Sequence, residues 1–562
     1  MTVIPLGTAV TAPTAGPEVR HGVPAAIREA SGAGSGRTPA GPRLFISRTE
    51  RGIMPDSRLP TAALLSPGRN CWRRVPARRA ALIIDGERYF DLAERAIRRA
   101  RHSVTLLAWD FVPETVLRPG SGSGLTIGGL LGEVKAARPE LAVRVLVWET
   151  AAYFALKRGQ WPGVQIGAGG AEVEVRFDDC HPPLACHHQK VLVIDDALAF
   201  CGGMDFADNR WDTPRHWPGD PRRISSTGDA YEPRHDVMMA VDGAAARALG
   251  DLARHRWLCA TGERLQPCPD TDTDADGGDL WPDDLAPDLR DVEIGIARTL
   301  PAWEGRPAIY ECELLYLDAI AAARRSIYFE SQYFASQLVA DALLKRLAEP
   351  DGPEAVVVVP ESAPTWIEQE AMDAARSRLS RRIGRQVPPD RFRILAPMTG
   401  AEPLLVHSKL MVVDDRLVRV GSANLSERSF GTDTECDLAI EAGPGRSDQR
   451  AAIARFRDTL LAEHLGTDAA TVAAAIARTG SLIRAIDHLN NRGGRWLAPV
   501  VHTRHDGLLP RFLHDLVADP HRPWSGYLVP AAALAAGAVA GALLGAALSR
   551  NAGRPSHRTV QG

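Results

Sequence analysis

One short pattern of side chains occurs twice in this chain of 562 residues, and it constrains the fold more than any other feature. The pattern is H-x-K-x4-D-x6-G-[GS]-x-[DN]. It runs from 188 to 205 and again, at identical spacing, from 407 to 424. Because repetition at fixed spacing indicates a duplicated structural unit, we expect two similar halves that together form one site.

The spacing within each copy is that of a β-strand. Residues i and i+2 of a strand share a face, so His188 and Lys190 point the same way, as do His407 and Lys409. The glycines near the end of each copy allow a close backbone approach to an anion. Two imidazoles, two ammonium groups and an amide around one pocket suit a tetrahedral phosphate.

These residue types also predict the chemistry. One neutral histidine attacks phosphorus, and the other, protonated, donates its proton to the leaving alcohol. The lysines stabilise the developing charge. Water that attacks the phosphohistidine completes hydrolysis, whereas a competing alcohol gives transfer. These steps need no metal or other cofactor.

Strand and helix patterns alternate in both halves of the chain. Helical spacing of apolar residues is found at 89–101 and 316–325, between apolar runs that indicate strands. Such alternation predicts an α/β fold in which helices cover the sheet. The predicted strands are 81–84, 104–109, 142–148, 173–177 and 191–194 in the first half, and 326–330, 355–360, 393–395 and 410–413 in the second.

Charge and cysteine content exclude several classes of protein. The 66 Lys and Arg residues nearly balance the 69 Asp and Glu residues, which is not typical of a dedicated nucleic-acid-binding protein. The eight cysteines include no C-x-x-C pair, so we expect neither a disulfide framework nor a zinc ribbon. The Cys-His pairs at 180–181 and 186–187 match no standard zinc spacing, and we interpret them as a loop before the catalytic strand.

Composition also predicts the segments outside the two lobes. Residues 1–43, rich in Ala, Gly, Pro and Thr, are expected to be a disordered leader without a secretory signal. An acidic linker is expected at 265–291. Within it, 272–283 is similar to a calcium loop, but Asp replaces the final Glu and prolines flank it, so we interpret it as solvated.

The uncharged segment 527–548 is long enough to cross a bilayer at about 1.5 Å per residue. Glycines at 537, 541 and 545 have the G-x-x-x-G spacing of close helix contacts in membranes. We therefore predict a C-terminal membrane anchor. The alternative is a helix that docks on the rest of this chain, in which case we expect a cytoplasmic protein. The orientation of the basic tail stays open.

The duplicated motif resembles the hallmark of the phospholipase D superfamily, over about 69–523. Further stretches are similar to the eukaryotic-type enzymes and their bacterial relatives, and Gly203 and Asp205 in the first copy are shared with that subgroup. These stretches are DG-x2-YF at 85–90, WDF at 109–111, RWD at 210–212, PRHDV at 233–237, ESQYF at 330–334 and SERS at 426–429.

The resemblance implies roles for the site residues. His188 would be the nucleophile and His407 the general acid. Glu435 occupies the place of an acidic residue that orients a motif histidine, and Asp236 is its expected first-half counterpart. In the family the motif aspartates are more structural than catalytic. The other predicted site residues are Lys190, Lys409, Gly203, Ser422, Asn424, Asp195 and Asp414.

The resemblance also implies the architecture and the function. We expect two tandem phospholipase D-like lobes, at 69–264 and 292–523, each a mixed β-sheet flanked by helices, with the active site at their interface. The expected enzyme is a monomer that acts at phospholipid membranes without a cofactor. It would hydrolyse glycerophospholipids such as phosphatidylcholine to phosphatidic acid and a headgroup alcohol, with water or a small alcohol as acceptor.

Three alternatives share these motifs. A phosphatidyltransferase of the cardiolipin synthase type would use a lipid alcohol as acceptor, but that family usually carries N-terminal membrane helices, which 1–80 lacks. A superfamily nuclease is disfavoured by the near-neutral charge. A non-enzymatic lipid-binding scaffold is disfavoured because both motifs are intact.

Overall fold

Both halves of the chain fold into β-sheet and helix in the computed structural model, which describes residues 63–149, 173–269, 279–365 and 368–500. The first half contains β1 (Arg73–Ile84), α1 (Gly86–Arg99), β2 (Ser103–Ala108), α2 (Ile127–Ala137), β3 (Ala142–Trp148), β4 (Glu174–Asp178), β5 (Val191–Ile194), β6 (Leu198–Gly202), β7 (Arg234–His235), β8 (Val237–Asp242) and α3 (Gly243–Thr261). The second contains β9 (Leu289–Leu300), β10 (Ile309–Tyr310), α4 (Glu311–Ala322), β11 (Ser326–Glu330), α5 (Gln337–Leu347), β12 (Glu354–Val358), a π-helical turn (Gln369–Asp373), α6 (Ala374–Gly384), β13 (Phe392–Thr399), β14 (Glu402–Pro403), β15 (Leu405–Val406), β16 (Leu410–Val413), β17 (Leu417–Gly421), β18 (Glu435–Glu441), α7 (Ser447–Leu465), α8 (Ala469–Thr479), α9 (Leu482–Leu489) and β19 (Arg495–Pro499).

The two halves repeat the same strand pairing. In the first half the order is β4-β3-β2-β5-β6-β8-β1, parallel from β4 to β2 and antiparallel beyond. In the second half it is β13-β12-β11-β16-β17-β18-β9, again parallel in the first three strands. β1 and β9 pair with each other antiparallel and join the two sets. The expected α/β class with mixed sheet is confirmed.

The strands that follow the motif histidines, β5 and β16, are buried at every residue. Each ends in a tight hairpin to the next strand, where two consecutive aspartates have positive φ angles, 52° and 53° at 195–196 and 54° at both 414 and 415. Two successive positive φ angles are typical of the hairpin turn whose twist matches that of the flanking strands. The local sequence therefore fixes the register of both motif strands.

The apolar core follows the sheet. One cluster packs α3 and α7 against the central strands, with Trp257, Ile294 and Leu460 completely buried. Separate clusters in the first and second halves bury the apolar faces of α1 and α4. This packing holds the ends of β5 and β16 in place, which positions the residues described below.

Within the residues that the structure describes, none of the helices combines the length and the apolar character that crossing a membrane requires. The predicted leader at 1–43, the predicted anchor at 527–548 and the middle of the predicted linker, 270–278, lie outside those residues.

Candidate active site

The two motif histidines lie just before β5 and β16, and backbone hydrogen bonds tie each of them to the opposite half. The amide of His188 donates to the carbonyl oxygen of Thr434 at 3.1 Å, and the amide of His407 donates to that of His235 at 2.8 Å. β15, directly before His407, also pairs in parallel with β7. These contacts bring both copies of the motif to one place between the halves.

A carboxylate from the opposite half holds each imidazole ring. Nδ1 of His188 lies 2.9 and 3.0 Å from the two carboxylate oxygens of Glu435, and Nδ1 of His407 lies 2.7 Å from Oδ2 of Asp236. Because Nδ1 is engaged in both rings, Nε2 is the atom left for chemistry. The arrangement has the geometry of a positioned nucleophile or general acid, with an acid that fixes the tautomer.

The motif lysines lie beside their histidines. Nζ of Lys190 donates to the carbonyl oxygen of His188 at 3.0 Å and lies 3.4 Å from Oδ2 of Asp205. Nζ of Lys409 donates to the carbonyl oxygen of His407. Both ammonium groups are buried, so their charge acts on the site with little screening.

The glycine-rich tails of the motif touch the two carboxylates in different ways. A Cβ built on Gly203 would lie 2.0 Å from Oδ1 of Asp236, so no larger residue fits there without displacing the carboxylate. At the equivalent position of the second copy, the hydroxyl of Ser422 donates to Oε2 of Glu435. The side-chain oxygen of Asn424 is buried without a hydrogen-bond partner among the described residues.

Electrostatics keep both imidazoles neutral near pH 7 before a substrate binds. Burial and the ammonium groups of Lys190 and Lys409 hold the pKa of His188 well below its usual value. Burial, the guanidinium of Arg234 and Lys409 have the same effect on the pKa of His407. An anion bound between the rings would raise both pKa values, because an opposite charge favours the protonated form.

Burial has the opposite effect on the two carboxyl groups. It raises the pKa of Glu435 to about 8, and it raises the pKa of Asp236 although Lys409 and Arg234 act against this. A positive charge on the facing histidine would favour the ionised form of each carboxyl group and lower its pKa.

The two histidines open into a single cleft of about 610 Å³. Lys190, Asp205 and Asn424 line it together with both rings, and Trp109 and Trp148, whose stacked rings have centroids 5.7 Å apart, form an aromatic part of the wall. Four of the predicted site residues, His188, Lys190, His407 and Asn424, thus line one cavity, and Glu435, Asp236 and Lys409 contact its two histidines.

Two predicted residues lie elsewhere. Asp195 and Asp414 are at the far ends of β5 and β16, away from the cleft. The carboxylate of Asp195 accepts hydrogen bonds from the backbone amides of 101, 102 and 103, each at 2.7 Å, and Asp414 accepts from those of 324, 325 and 326 at 2.6, 2.7 and 2.9 Å. Both aspartates therefore fix the start of the neighbouring strand, β2 or β11, and do not contact the reacting groups.

Sequence reasoning assigned no role to two arginines of the cleft, Arg210 and Arg234. Both belong to stretches that carry the family resemblance, but the spacing of residues does not indicate that their side chains point into the cleft. The sequence contains one local signal, and it concerns Arg234. This arginine is two residues before Asp236, and alternate residues of an extended chain share a face, so its side chain is expected on the same side as that carboxylate.

Next to His407, four buried side chains from both halves form a cluster that could hold a metal ion: Asp85, His216, His235 and Glu463. Oε1 of Glu463 lies 2.7 Å from Nδ1 of His235 and 3.0 Å from Nε2 of His216. Nδ1 of His235 is also 3.1 Å from Oδ1 of Asp85. Such a set of nitrogen and oxygen donors fits a divalent cation.

The second ring nitrogen of each histidine in this cluster meets another carboxylate. Nε2 of His235 is 2.9 Å from Glu330, and Nδ1 of His216 is 2.9 Å from Asp212. Carboxylates commonly orient metal-binding histidines in this way. A bound cation would supply a fixed positive charge beside the site, and the cleft residues themselves carry the reacting groups.

Comparisons with known proteins find several similar sequences. Residues 316–455 match the family model described as "Cardiolipin synthase, PLD-like domain". The chain is 25% identical over 463 residues to phospholipase D A of Dictyostelium discoideum, an alignment that covers 68% of this chain and 35% of that protein. It is 23% identical over 517 residues to phospholipase D alpha 1 of Nicotiana tabacum, which covers 66% of this chain and 63% of the relative.

The chain therefore spans about a third of the first relative and less than two thirds of the second. Among solved structures, phosphatidylserine synthase of Haemophilus influenzae matches with a TM-score of 0.45 and 13% identity, over 68% of this chain and 86% of that one.

Proposed function

Since this chain belongs to the phospholipase D superfamily of phosphodiesterases, we propose that it hydrolyses glycerophospholipids to phosphatidic acid and a free headgroup alcohol. One observation carries the proposal: His188 and His407 share a cleft, and each is held through Nδ1 by a carboxylate of the opposite half. Two imidazoles with free Nε2 atoms are what a two-step displacement at phosphorus requires.

In the first step, Nε2 of His188 forms a bond to phosphorus and the bond from phosphorus to the headgroup oxygen breaks. His407, protonated in the complex because the phosphate charge raises its pKa, donates its proton to that oxygen. The phosphate oxygens would lie near Lys190, Lys409 and the amide of Asn424, which stabilise the charge of the transition state.

In the second step, His407 accepts a proton from water while the water oxygen attacks phosphorus. The bond between phosphorus and His188 breaks, and phosphatidic acid leaves. A small alcohol in place of water would give transfer of the phosphatidyl group. The proposal needs a phospholipid surface, water or an alcohol, and a single copy of the chain, without a cofactor in the reacting steps.

Support for a lipid substrate comes from the relatives, whose names are those of phospholipases D, and from the near balance of acidic and basic residues. The aromatic and apolar parts of the cleft wall, which include Trp109, Trp148 and Met372, fit a lipid better than a polynucleotide backbone. A membrane location, through 527–548 or through the surface around the cleft, is part of this proposal.

A second candidate function is a phosphatidyltransferase of the cardiolipin synthase type. The observation that favours it is the family model matched by 316–455. It uses the same site and differs only in the alcohol that enters in the second step.

The test is to incubate the purified chain with mixed liposomes and ethanol and to identify the products by mass spectrometry. We expect phosphatidic acid and phosphatidylethanol, both lost in His188→Ala and retained in the matched control His102→Ala, an exposed histidine outside the cleft. Cardiolipin as the main product from phosphatidylglycerol would favour the transferase. Cleavage of a single-stranded oligonucleotide without any lipid turnover would overturn the lipid substrate.

A further inference from the structure

Two arginines point into the cleft without a carboxylate partner among the described residues. Arg234 is 6% exposed, and within the described part of the chain its Nε is buried without a hydrogen bond and no carboxylate lies within ion-pair distance of its guanidinium. Arg210 also lines the cleft. Its Nε is buried without a partner among the residues that the structure describes, and its Nη1 donates to the backbone oxygen of Asp208 at 2.9 Å.

Both arginines lie on the side of the general acid. In the pairing of β7 with β15, Arg234 stands opposite Leu405, two residues before His407. Alternate residues of an extended chain share a face, so Arg234 lies on the face of Asp236, whose carboxylate holds His407. Since His407 protonates the leaving alcohol, the two guanidinium groups face the place where the headgroup lies.

The opposite end of the cleft has different charges. Asp433 is two residues before Glu435, the acid that holds His188, just as Arg234 is two residues before Asp236, the acid that holds His407. Asp433 is therefore the counterpart of Arg234 at the His188 end. Its carboxylate accepts hydrogen bonds from Nε of Arg428 at 2.9 Å and from Nη2 at 2.5 Å. Among the described residues, the arginines of the cleft that lack an ion-pair partner therefore lie at one end of it.

Among the described residues, the other acidic residues that line the cleft form no ion pair with these arginines. Asp205 lies beside Lys190, and Glu368 accepts hydrogen bonds from the hydroxyl of Tyr333 at 2.6 Å and from Thr365. Glu232 is an exposed residue at the rim. The part of the cleft near His407 is thus lined by two guanidinium groups, those of Arg210 and Arg234.

An unpaired guanidinium is costly to bury, and the cost is offset when an anion binds. A planar guanidinium pair matches the oxygens of a phosphate monoester or a carboxylate, and a quaternary ammonium headgroup would be repelled.

We propose that Arg234 and Arg210 form a subsite for an anionic group on the leaving headgroup, either a phosphate monoester or a carboxylate. The subsite rests on the proposed phospholipid hydrolysis, and it selects against headgroups such as choline that end in a cation.

The test compares lipids that differ by one headgroup anion, each presented in detergent mixed micelles. Phosphatidylinositol 4-phosphate is set against phosphatidylinositol, and phosphatidylserine against phosphatidylethanolamine. We expect kcat/KM to be roughly 10- to 100-fold higher for the member with the anion, the range of one or two charge-assisted hydrogen bonds. The two pairs separate phosphate from carboxylate recognition. Equal rates within both pairs, or faster cleavage of phosphatidylcholine than of all four, would overturn the subsite.

Variants separate headgroup recognition from binding of the scissile phosphate. Arg234→Gln should remove most of the preference for the anionic member, measured as the ratio of kcat/KM within each lipid pair. Any change in the pKa of His407 that the substitution causes affects both lipids of a pair and cancels in this ratio. The matched control Arg215→Gln, an exposed arginine over the ring of Trp217, should keep the preference. An equal loss on every lipid in Arg234→Gln would show instead that this arginine binds the scissile phosphate.

A binding measurement does not depend on turnover. By calorimetry, the folded His188→Ala chain should bind inositol 4-phosphate more tightly than inositol, and His188→Ala with Arg234→Gln should not discriminate. Discrimination without lipid hydrolysis by the wild-type chain would support the subsite and contradict the proposed function. Lipid hydrolysis without discrimination between the two inositols would support the proposed function and contradict the subsite.

Discussion

The two ends of the cleft share one backbone plan and differ in their side chains. Each motif histidine precedes a buried strand and is held by an acid of the other half, yet one acid is Asp236 against Gly203 and the other is Glu435 bonded to Ser422. The duplication thus preserved the scaffold while the contacts around each histidine diverged. Such divergence allows one imidazole to act as nucleophile and the other as general acid.

The largest effects are expected from the two acids, and they should not be equivalent. Asp236→Asn and Glu435→Gln should each lower kcat by roughly 10²- to 10⁴-fold, because the imidazole loses its orientation and the support for its positive charge. With p-nitrophenol as leaving group, the first step needs no proton, so Asp236→Asn should recover the single-turnover rate of p-nitrophenol release and Glu435→Gln should not. Recovery by Glu435→Gln alone would reverse the roles assigned to the histidines, and recovery by both would contradict the assignment of distinct roles. Unchanged melting temperatures serve as the control for folding.

Substitutions at Gly203 and Ser422 should lower kcat less than loss of either acid does, and the two positions should differ from each other. Gly203→Ala places a methyl group against Asp236, so we expect a roughly 10- to 100-fold loss of kcat and a free energy of unfolding lower by about 1–3 kcal/mol. Ser422→Ala removes one hydroxyl donor to Glu435 and should cost less than about tenfold in kcat. Kinetics and denaturant titration of both variants test this order, and a fully active Gly203→Ala would show that Asp236 has room to move.

The pH profile separates the two histidines without a mutation. Protonation inactivates a nucleophilic imidazole, so activity is lost as the pH falls through the pKa of His188. Because burial and two lysines hold that pKa low, the acidic limb of kcat/KM should lie below pH 6.5. The bound phosphate raises the pKa of His407, so the basic limb of kcat should lie at higher pH than that of kcat/KM. If the basic limbs of kcat and kcat/KM lay at the same pH, the bound substrate would not raise the pKa of His407, which would contradict this prediction.

The smallest effect on chemistry is expected at Asp195. Asp195→Asn weakens three hydrogen bonds to backbone amides, so the free energy of unfolding should fall by about 2–4 kcal/mol while kcat of the folded protein changes less than about threefold. Thermal melts and initial rates on the same preparation measure both quantities. A loss of kcat beyond about 100-fold in a folded variant would place this aspartate in the chemistry.

The local part of the fold could be predicted from the sequence. The apolar runs at 142–148, 191–194, 326–330 and 410–413 coincide with β3, β5, β11 and β16. The helix predicted from 316 begins earlier, at Glu311, because polar residues in its first turn do not contribute to the apolar period. Strands β6 and β8 were not predicted, although they complete the pairing of the first half.

The crossed contacts of the site could not be predicted from spacing. A sequence indicates which residues share a face, but whether Glu435 meets His188 or His407 depends on how the halves pack. The unpaired state of Arg234 likewise depends on which carboxylates reach it in three dimensions. The roles of the site residues, the lobe boundaries, the monomeric state and the C-terminal anchor stay predictions.

Trapping the covalent intermediate tests the central claim most directly. His407→Ala, which retains the nucleophile but lacks the base for hydrolysis, is mixed with a short-chain phosphatidyl p-nitrophenol and quenched in alkaline denaturant, which preserves phosphohistidine. Peptide mass spectrometry should show the phosphatidyl adduct on His188, and none on the His188→Ala, His407→Ala double variant. Release of p-nitrophenol that persists in His188→Ala, or an adduct on any other residue, would contradict the account.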